Sequence, residues 1–369
     1  MLNKPKILTI HNQYATPISR KYALYNGVGY YRQSMPFKYL KKFTQVSAGT
    51  QLIGLKDDEV ESKVVELVKG VDLVFTKHLD NPYLVASLLG ACSYYNKPLI
   101  VDFDDNVFST DGKEPEKFAY KDGESTHYLK TLLENCTAIT VSVPSLVPVY
   151  EKYAPVHVLP NMVDMKGWTF ERKHHERPTV GWAGSSSHVI DHAVLEPVYQ
   201  GVVAENPDVV FSFVGHMLPE HIKGLERKNW EIKPATDWWD GNPESKMTYP
   251  RLLAECGYDV GLAPLVDSEF NASRSLAKWF EYTMVGTPVV VSDIGPYKEL
   301  NDGFHALKST TTNEWVENIN YLLKNKDEQQ RIVGIAKQHI RAKYSTEQLV
   351  PTWNEVFHQY TGTGFSRKH

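Results

Sequence analysis

The sequence predicts an α/β protein with two parallel-sheet domains, and three observations lead there. At 369 residues the chain is too long for one ordinary α/β domain and long enough for two, each with its own core. Short apolar runs alternate with helical patterns almost from end to end, as strand–helix–strand units require. One charged stretch closed by a proline, MKGWTFERKHHERP at 165–178, interrupts that alternation near the middle, as a linker would.

In the first half the expected strands are KILTI (6–10), QLIG (51–54), VDLVFTKH (71–78), PLIVDFD (98–104), AITVSV (138–143) and VHVLPN (156–161). After the break they are TVGWAG (179–184), VVFSFVG (209–215), WEIKPA (230–235), YDVGLAPL (258–265) and TPVVVSD (287–293). The expected organisation is a Rossmann-like domain over 1–164, a linker over 165–178, a second Rossmann-like domain over 179–344 and a terminal segment over 345–369. Beyond His305 the chain reads as helical, and STEQLVPTWNEVFHQY (345–360) has the apolar spacing of a helix laid across a domain junction. Open α/β sheets bind ligands beyond the carboxyl ends of their strands, so two such domains facing each other would make a cleft.

Apolar residues make up 42% and charged residues 23% of the chain, which excludes disordered and fibrous classes. No apolar run approaches the roughly 18 to 20 residues of a membrane helix. The opening MLNKPKILTIHNQY lacks the long apolar stretch of a signal peptide. Cys92, Cys136 and Cys256 have neither paired nor metal-like spacing, so buried thiols in a reducing, cytoplasmic setting are expected. Net charge is -4, yet the chain from Met1 to Lys56 carries nine basic residues and no Asp or Glu. That stretch is either an ordinary solvated face or a surface for a polyanion such as anionic lipid or nucleic acid.

The most informative stretch is FNASRSLAKWFEYTMVGTPVVVSD, 270–293. A helix starting near Asn271 to Ser273 would put Arg274, Lys278 and Glu281 at i, i+4 and i+7, on one face. A phosphate at such a helix start would meet free N–H groups, Arg274 and Lys278 together. Glu281, one turn deeper, could hold the two hydroxyls of a ribose; the plain alternative is a Lys278–Glu281 surface pair. The second domain opens with VGWAGSSSHVIDH (180–192). There Gly184 admits close backbone approach, and Ser185 and Ser187 can cap the helix that follows. His188 is a candidate phosphate contact or a solvent-facing histidine. His188 and His192 also have the i, i+4 spacing of metal ligands, but no third ligand is evident and no metal is expected.

In the first half NGVGYYRQSMPFKYL (26–40) places Gly27 and Gly29 in a loop before a helix, with Arg32 in its first turn, another candidate diphosphate site. Pro36 suits a helix start, so the helix is expected from about Met35. PLIVDFDDNVF (98–108) supplies Asp104 and Asp105 at a strand end; Asp102 reads either as a buried structural carboxylate or, with Asp104, as an Asp-x-Asp metal motif. His78 is a lesser candidate beside them.

The run Asn-x-x-Arg-Ser-x-x-Lys-x-x-Glu-Tyr, followed by Gly-Thr-Pro-Val-Val-Val-Ser, resembles the donor-site signature of glycosyltransferase family 4. The Gly-Ser-x-Ser-His segment and 235–265, with Trp238 and Trp239 as candidate nucleobase contacts, resemble the same branch. The resemblance implies the GT-B fold and transfer of a sugar from a nucleotide-diphosphate donor, with retention and without a metal or other cofactor. It assigns donor binding to Gly27, Gly29, Arg32, Gly184, Ser185, Ser187, His188, Asn271, Ser275 and Glu281, and the catalytic environment to Arg274, Lys278, Asp104 and Asp105. The family's usual pair of glutamates would put its first member at 273, where this chain has Ser273, so Asn271 or Ser275 is expected to substitute. The basic first 56 residues favour an anionic acceptor, either a modified DNA base or an envelope or lipid-linked glycan. A sugar-nucleotide epimerase or hydrolase and a non-catalytic binding module are the alternatives.

Overall fold

Each half of the chain builds one six-stranded parallel sheet. The computed structural model describes residues 4–10, 27–52, 55–79, 81–109, 123–185, 188–215, 222, 224–234 and 248–362. The chain divides into a first unit, 1–108 with 120–162 and 346–369, and a second, 109–119 with 163–345.

The first unit contains β1 (Lys6–Ile10), β2 (Thr44–Ser47), β3 (Leu73–Lys77), β4 (Leu99–Phe103), β5 (Ala138–Val141) and β6 (Val156–Val158), in the order β2-β1-β3-β4-β5-β6. Every residue of β3, β4 and β5 is buried because helices cover both faces, and apart from Thr76, Lys77, Asp102 and Thr140 these strands are apolar. On one face Leu8, Val74 and Val101 pack with Val64, Leu84, Leu88 and Leu129 from the helices Asp57–Lys69, Pro82–Tyr94 and Glu124–Glu134. On the other, Phe75 meets Phe37, Trp353 and Phe357 at ring-centroid distances of 6.0, 6.4 and 5.2 Å. Trp353 and Phe357 belong to the helix Thr346–Tyr360, so this last helix is part of the first unit's packing.

Two local expectations fail here for physical reasons. The second strand is Thr44–Ser47, and Gly49–Leu52 is a single 3-10 turn. The TQVS strand lies at the sheet edge, mostly exposed, so its polar sequence escapes a search for apolar runs. The helix before it starts at Gly27, well ahead of Met35, and Gly29 is itself helical at φ -58 and ψ -39. Its turn widens over Tyr30–Ser34, with the Met35 N–H reaching Tyr30 O, before Pro36 enters. Widening is how a helix accommodates a proline that lacks an N–H and would collide with the preceding turn.

The second unit contains β7 (Thr179–Gly184), β8 (Val210–Gly215), β9 (Trp230–Lys233), β10 (Val260–Ala263), β11 (Val289–Ser292) and β12 (Leu307–Ser309), in the order β12-β11-β10-β7-β8-β9. β12, only LKS, was too short to stand out in a stretch that otherwise reads as helical. Its core joins Val180, Trp182, Phe211, Phe213, Leu262 and Val290 to Trp315, Ile319 and Leu322. The stretch 165–178 has no helix or strand but is no free linker. Arg172 Nη1 donates to Tyr258 O at 2.9 Å, Lys173 N to Ala254 O at 2.9 Å, and Arg177 Nε to Asp208 O at 2.9 Å. Placement of successive strands reverses between β7 and β10, which makes the carboxyl ends of these two neighbours the switch point of the sheet.

Candidate functional site

Chemistry-bearing residues of the second unit converge beyond the carboxyl ends of β7, β10 and β11. β7 ends at Gly184, where a Cβ would fall 2.4 Å from the Trp182 ring. Its neighbour Gly215, at φ 103, would put a Cβ 2.1 Å from Gly184 O, so the two strand ends approach because Gly215 lacks a side chain. Ser185 is exposed, and Ser187 lies outside the described residues. The helix that follows is only four residues, Val189–His192, with His188 rather than a serine at its N-cap and no side-chain cap bond. A helix this short adds little dipole, which removes one of the two anion-binding helix starts read from the sequence.

Instead, Asp191 organises this corner. It is buried, and three donors reach its carboxylate: His188 Nδ1 at 2.9 Å on Oδ2, and Asn271 Nδ2 at 2.6 Å and Val266 N at 3.0 Å on Oδ1. Asn271 Nδ2 also donates to Val266 O at 3.0 Å, so both its amide hydrogens are taken up inside the protein. That leaves only its Oδ1, as an acceptor, for the sugar contact expected of it. His188 is pushed down to about 3 by burial, then by the nearby Arg274 and Lys278, with Asp191 opposing, so its imidazole is neutral near pH 7. His192 turns away, its Nε2 hydrogen-bonded to Tyr199 OH among Trp182 and Phe213, which removes the suggested metal pair. Among the described residues no group of three His, Cys, Asp or Glu side chains is placed to hold a metal ion.

The expected helix through 271–284 is interrupted. Asn271–Ser273 is one 3-10 turn, Arg274 is extended at φ -72 and ψ 159, and the α-helix begins only at Ala277. Arg274 and Lys278 therefore do not share a helical face, yet they are close enough that Arg274 helps depress the Lys278 ammonium. Burial is the larger cause of that depression, and Glu281 opposes it. Lys278 Nζ lies 3.8 Å from Glu281 Oε2, and Tyr249 OH donates to the same oxygen at 3.2 Å. Burial raises the Glu281 carboxyl above its ordinary range against the pull of Lys278 and Tyr249. The Arg274 guanidinium lies over the Phe270 ring, 4.8 Å from its centroid. Ser273 is buried and Ser275 half-buried. Gly295, at φ 53, would put a Cβ 2.7 Å from Asn271 O, so this glycine lets the following turn pack under the Asn271 turn.

The first unit disposes of its charges differently. Arg32 is fully buried: Nε and Nη2 grip Asp102 at 3.1 and 2.6 Å, and Nη1 reaches Leu159 O at 2.5 Å and Asn161 Oδ1 at 3.1 Å. Its guanidinium lies over Trp353. The reading of Arg32 as a phosphate contact is thus corrected; it is an internal anchor. Asp102 also accepts from Thr140 Oγ1 at 2.6 Å and is the buried structural carboxylate of the two readings given above. Lys77 pairs with Asp104 and lies 3.6 Å from Asp102. Burial would raise the Asp104 carboxyl, but Lys77, by charge and hydrogen bond, then His78 and Arg32, hold it below the usual range. His78 is pushed down to about 4 by burial and then by Lys77, and stacks on Phe103 at 5.4 Å. Asp105 is half-buried, its carbonyl accepting from Tyr150 OH at 2.8 Å. Gly27 and Gly29 open a helix rather than form a glycine loop, and residues 11–26 before them lie outside the described residues, as do Trp238 and Trp239.

Of the basic residues up to Lys56, Lys4, Lys6, Lys38, Lys41, Lys42 and Lys56 are exposed. Lys6 begins β1, and Lys41 and Lys42 precede its parallel neighbour β2, so these lysines sit at the amino ends of the strands, away from the edge where the sheet would bind a ligand. Among the described residues no helix is long and apolar enough to cross a membrane.

Comparison with known proteins bears on the fold. A family model described as glycosyl transferase-like matches residues 202–355, which takes in Arg274, Lys278 and Glu281. No curated protein sequence matches the chain. Among solved structures, HepE from Anabaena in complex with UDP-glucose superposes with a TM-score of 0.65 at 12% identity, over 96% of this chain and 100% of that one. Sucrose-phosphate synthase from Thermosynechococcus elongatus gives 0.60 at 14%, over 97% and 99%. A point mutant of S. aureus TarM, in complex with fondaparinux, α-GlcNAc-glycerol and UDP, gives 0.61 at 17% over 82% of this chain. The chain spans 58% of the length of that TarM structure. The fold is that of GT-B glycosyltransferases, as the sequence resemblance implied.

Proposed function

Taking a chain of GT-B glycosyltransferase fold as the premise, we propose that it transfers a sugar from a nucleotide diphosphate to a hydroxyl acceptor, with its second unit holding the donor. The observation that carries this reading is the meeting of Arg274, Lys278 and His188 beside Glu281 at the sheet's switch point, inside or next to the segment that the glycosyl transferase-like model matches. Arg274 and Lys278 take the diphosphate and stabilise it as it leaves, while Glu281, steadied by Tyr249, takes the ribose. HepE and TarM, crystallised with UDP-glucose and with UDP, support a uridine donor.

Retention of anomeric configuration is the stereochemistry proposed. The bond from the sugar to the diphosphate oxygen breaks, the acceptor oxygen bonds on the same face, and the leaving oxygen takes the acceptor proton, so no separate base is needed. The state of Asp104 supports this: a carboxylate held ionised by Lys77 is a weaker base than an ordinary one. Asp104 and Asp105 are then acceptor-side groups, and no metal takes part. The acceptor proposed is anionic, a modified DNA base or a lipid-linked glycan whose remote parts reach the lysines at the amino ends of the strands; salt-sensitive DNA binding or flotation with anionic vesicles distinguishes the two.

Thermal denaturation with UDP, GDP, ADP and TDP sugars tests the donor, since a ligand that binds only the folded protein raises its Tm. Stabilisation by one nucleotide series, and acceptor-dependent release of its nucleoside diphosphate, is expected. Turnover of donor alone, unaffected by any acceptor, would indicate an epimerase or hydrolase; binding without turnover, a binding module.

A further inference from the structure

We propose that Asp191 is a positioning residue that fixes His188 as the Nδ1–H tautomer, so that His188 Nε2 accepts a hydrogen bond from a hydroxyl of the transferred sugar. A carboxylate only accepts, so the His188 nitrogen 2.9 Å from Asp191 Oδ2 carries the hydrogen, and a neutral ring then has a bare lone pair on the other nitrogen. The other carboxylate oxygen receives Asn271 Nδ2 and Val266 N. One buried side chain thus ties the segment bearing His188 to the turn that leads into Arg274, and the same contact sets the chemistry of the imidazole.

The charged and titratable groups facing His188 keep the ring neutral. Arg274 and Lys278 oppose its protonation and Asp191 favours it, with burial deciding the balance. Tyr297, buried within the field of Asp191, Arg274 and Glu281, has its own proton held more tightly by that burial. A bare nitrogen cannot donate to a phosphate oxygen, which revises the first expectation for His188. On the proposed reading of the site, from which this inference takes its ligand, Glu281 engages the ribose, and the hydroxyl assigned to His188 is one of the transferred sugar rather than of the acceptor.

The test uses Asp191→Asn and His188→Ala in the full chain. The asparagine keeps an oxygen for Asn271 and Val266 but turns an N–H toward His188, which forces the opposite tautomer. Nitrogen-15 spectra of the histidine rings, with the His188 signals identified by their absence in His188→Ala, should show the Nδ1–H pattern in the wild type and the Nε2–H pattern in Asp191→Asn. Titrations with UDP and UDP-glucose should show the affinity gained from the glucose falling about tenfold in both variants, while UDP itself binds as in the wild type. An Nε2–H wild type overturns the proposal whatever the ligand. So does an unchanged ratio of UDP-glucose to UDP affinity in His188→Ala, or a loss in Asp191→Asn that is equal for both ligands. Failure of both ligands to bind the wild type would instead count against the uridine donor, and the nitrogen spectra would still decide the role of Asp191.

Discussion

Arg32 and Arg274 follow glycine-bearing or helix-start motifs of similar appearance, and the two halves of the molecule use them in opposite ways. In the first unit the guanidinium is fully buried, with Asp102, Leu159 and Asn161 as partners and Trp353 beneath. In the second it is half-buried at a strand-end corner, where its charge is felt by His188 and Lys278. The first network is closed: its charges neutralise one another and set the geometry of β4 against β6. The second brings two cations together with a neutral histidine, beside a Glu281 carboxylate 3.8 Å from Lys278. On the proposed reading, the anion that completes this corner is the diphosphate of the donor.

Substitutions can break or sharpen that contrast. The largest expected effect is on stability, from Arg32→Met. Removing one partner of a buried pair leaves Asp102 with only Lys77, 3.6 Å away and shared with Asp104, and should cost about 3–5 kcal/mol in urea unfolding. The double variant Arg32→Met with Asp102→Leu should recover much of that loss; a stable single variant would show the pair to be dispensable. Arg274→Ala and Lys278→Ala should instead leave unfolding within about 1 kcal/mol of wild type and lower kcat about 100-fold or more, the scale of losing one charged stabiliser of a leaving group. Stability losses in these two comparable with that of Arg32→Met would erase the distinction.

Gly295→Ala should fall between the two classes. A left-handed residue with a Cβ 2.7 Å from Asn271 O should lose about 1–2 kcal/mol and, by shifting the turn before Arg274, weaken donor binding as well. Unaltered affinity would show that the turn's position is immaterial. The smallest effect concerns Asp104, whose folded-state carboxyl lies below its ordinary value near 3.8 because Lys77 outweighs burial. A depressed carboxyl stabilises the fold above its unfolded value, and that stability is lost as pH falls through the folded one. The wild type's advantage over Asp104→Asn should therefore be full at neutral pH and shrink below about pH 4; a difference independent of pH would remove the ionic account.

Much of the fold was legible because parallel strands covered on both faces are mostly apolar, as LVFTK, LIVDF and VVVS are apart from Thr76, Lys77, Asp102 and Ser292 near their carboxyl ends. The edge strands β2 and β12 were not: Thr44–Ser47 is mostly exposed and Leu307–Ser309 too short. In the candidate site, Lys278 and Glu281 were recoverable from helical spacing, which survives because both lie in Ala277–Met284. The break at Arg274 was not, since helix propensity in NASRSLAK says nothing of a loop pinned by Asp191 from 75 residues away. Asp191 lies between the two histidines, and its i, i+3 spacing from His188 was the signal available for it. Gly295 and Tyr249 left no trace in spacing, because what they support comes from other strands and helices.

A crystal structure of the chain with UDP bound tests the central claim most directly. The diphosphate should lie within hydrogen-bond distance of both Arg274 and Lys278, with the ribose on Glu281. A diphosphate bound elsewhere in the second unit, with those three side chains unengaged, would contradict the account.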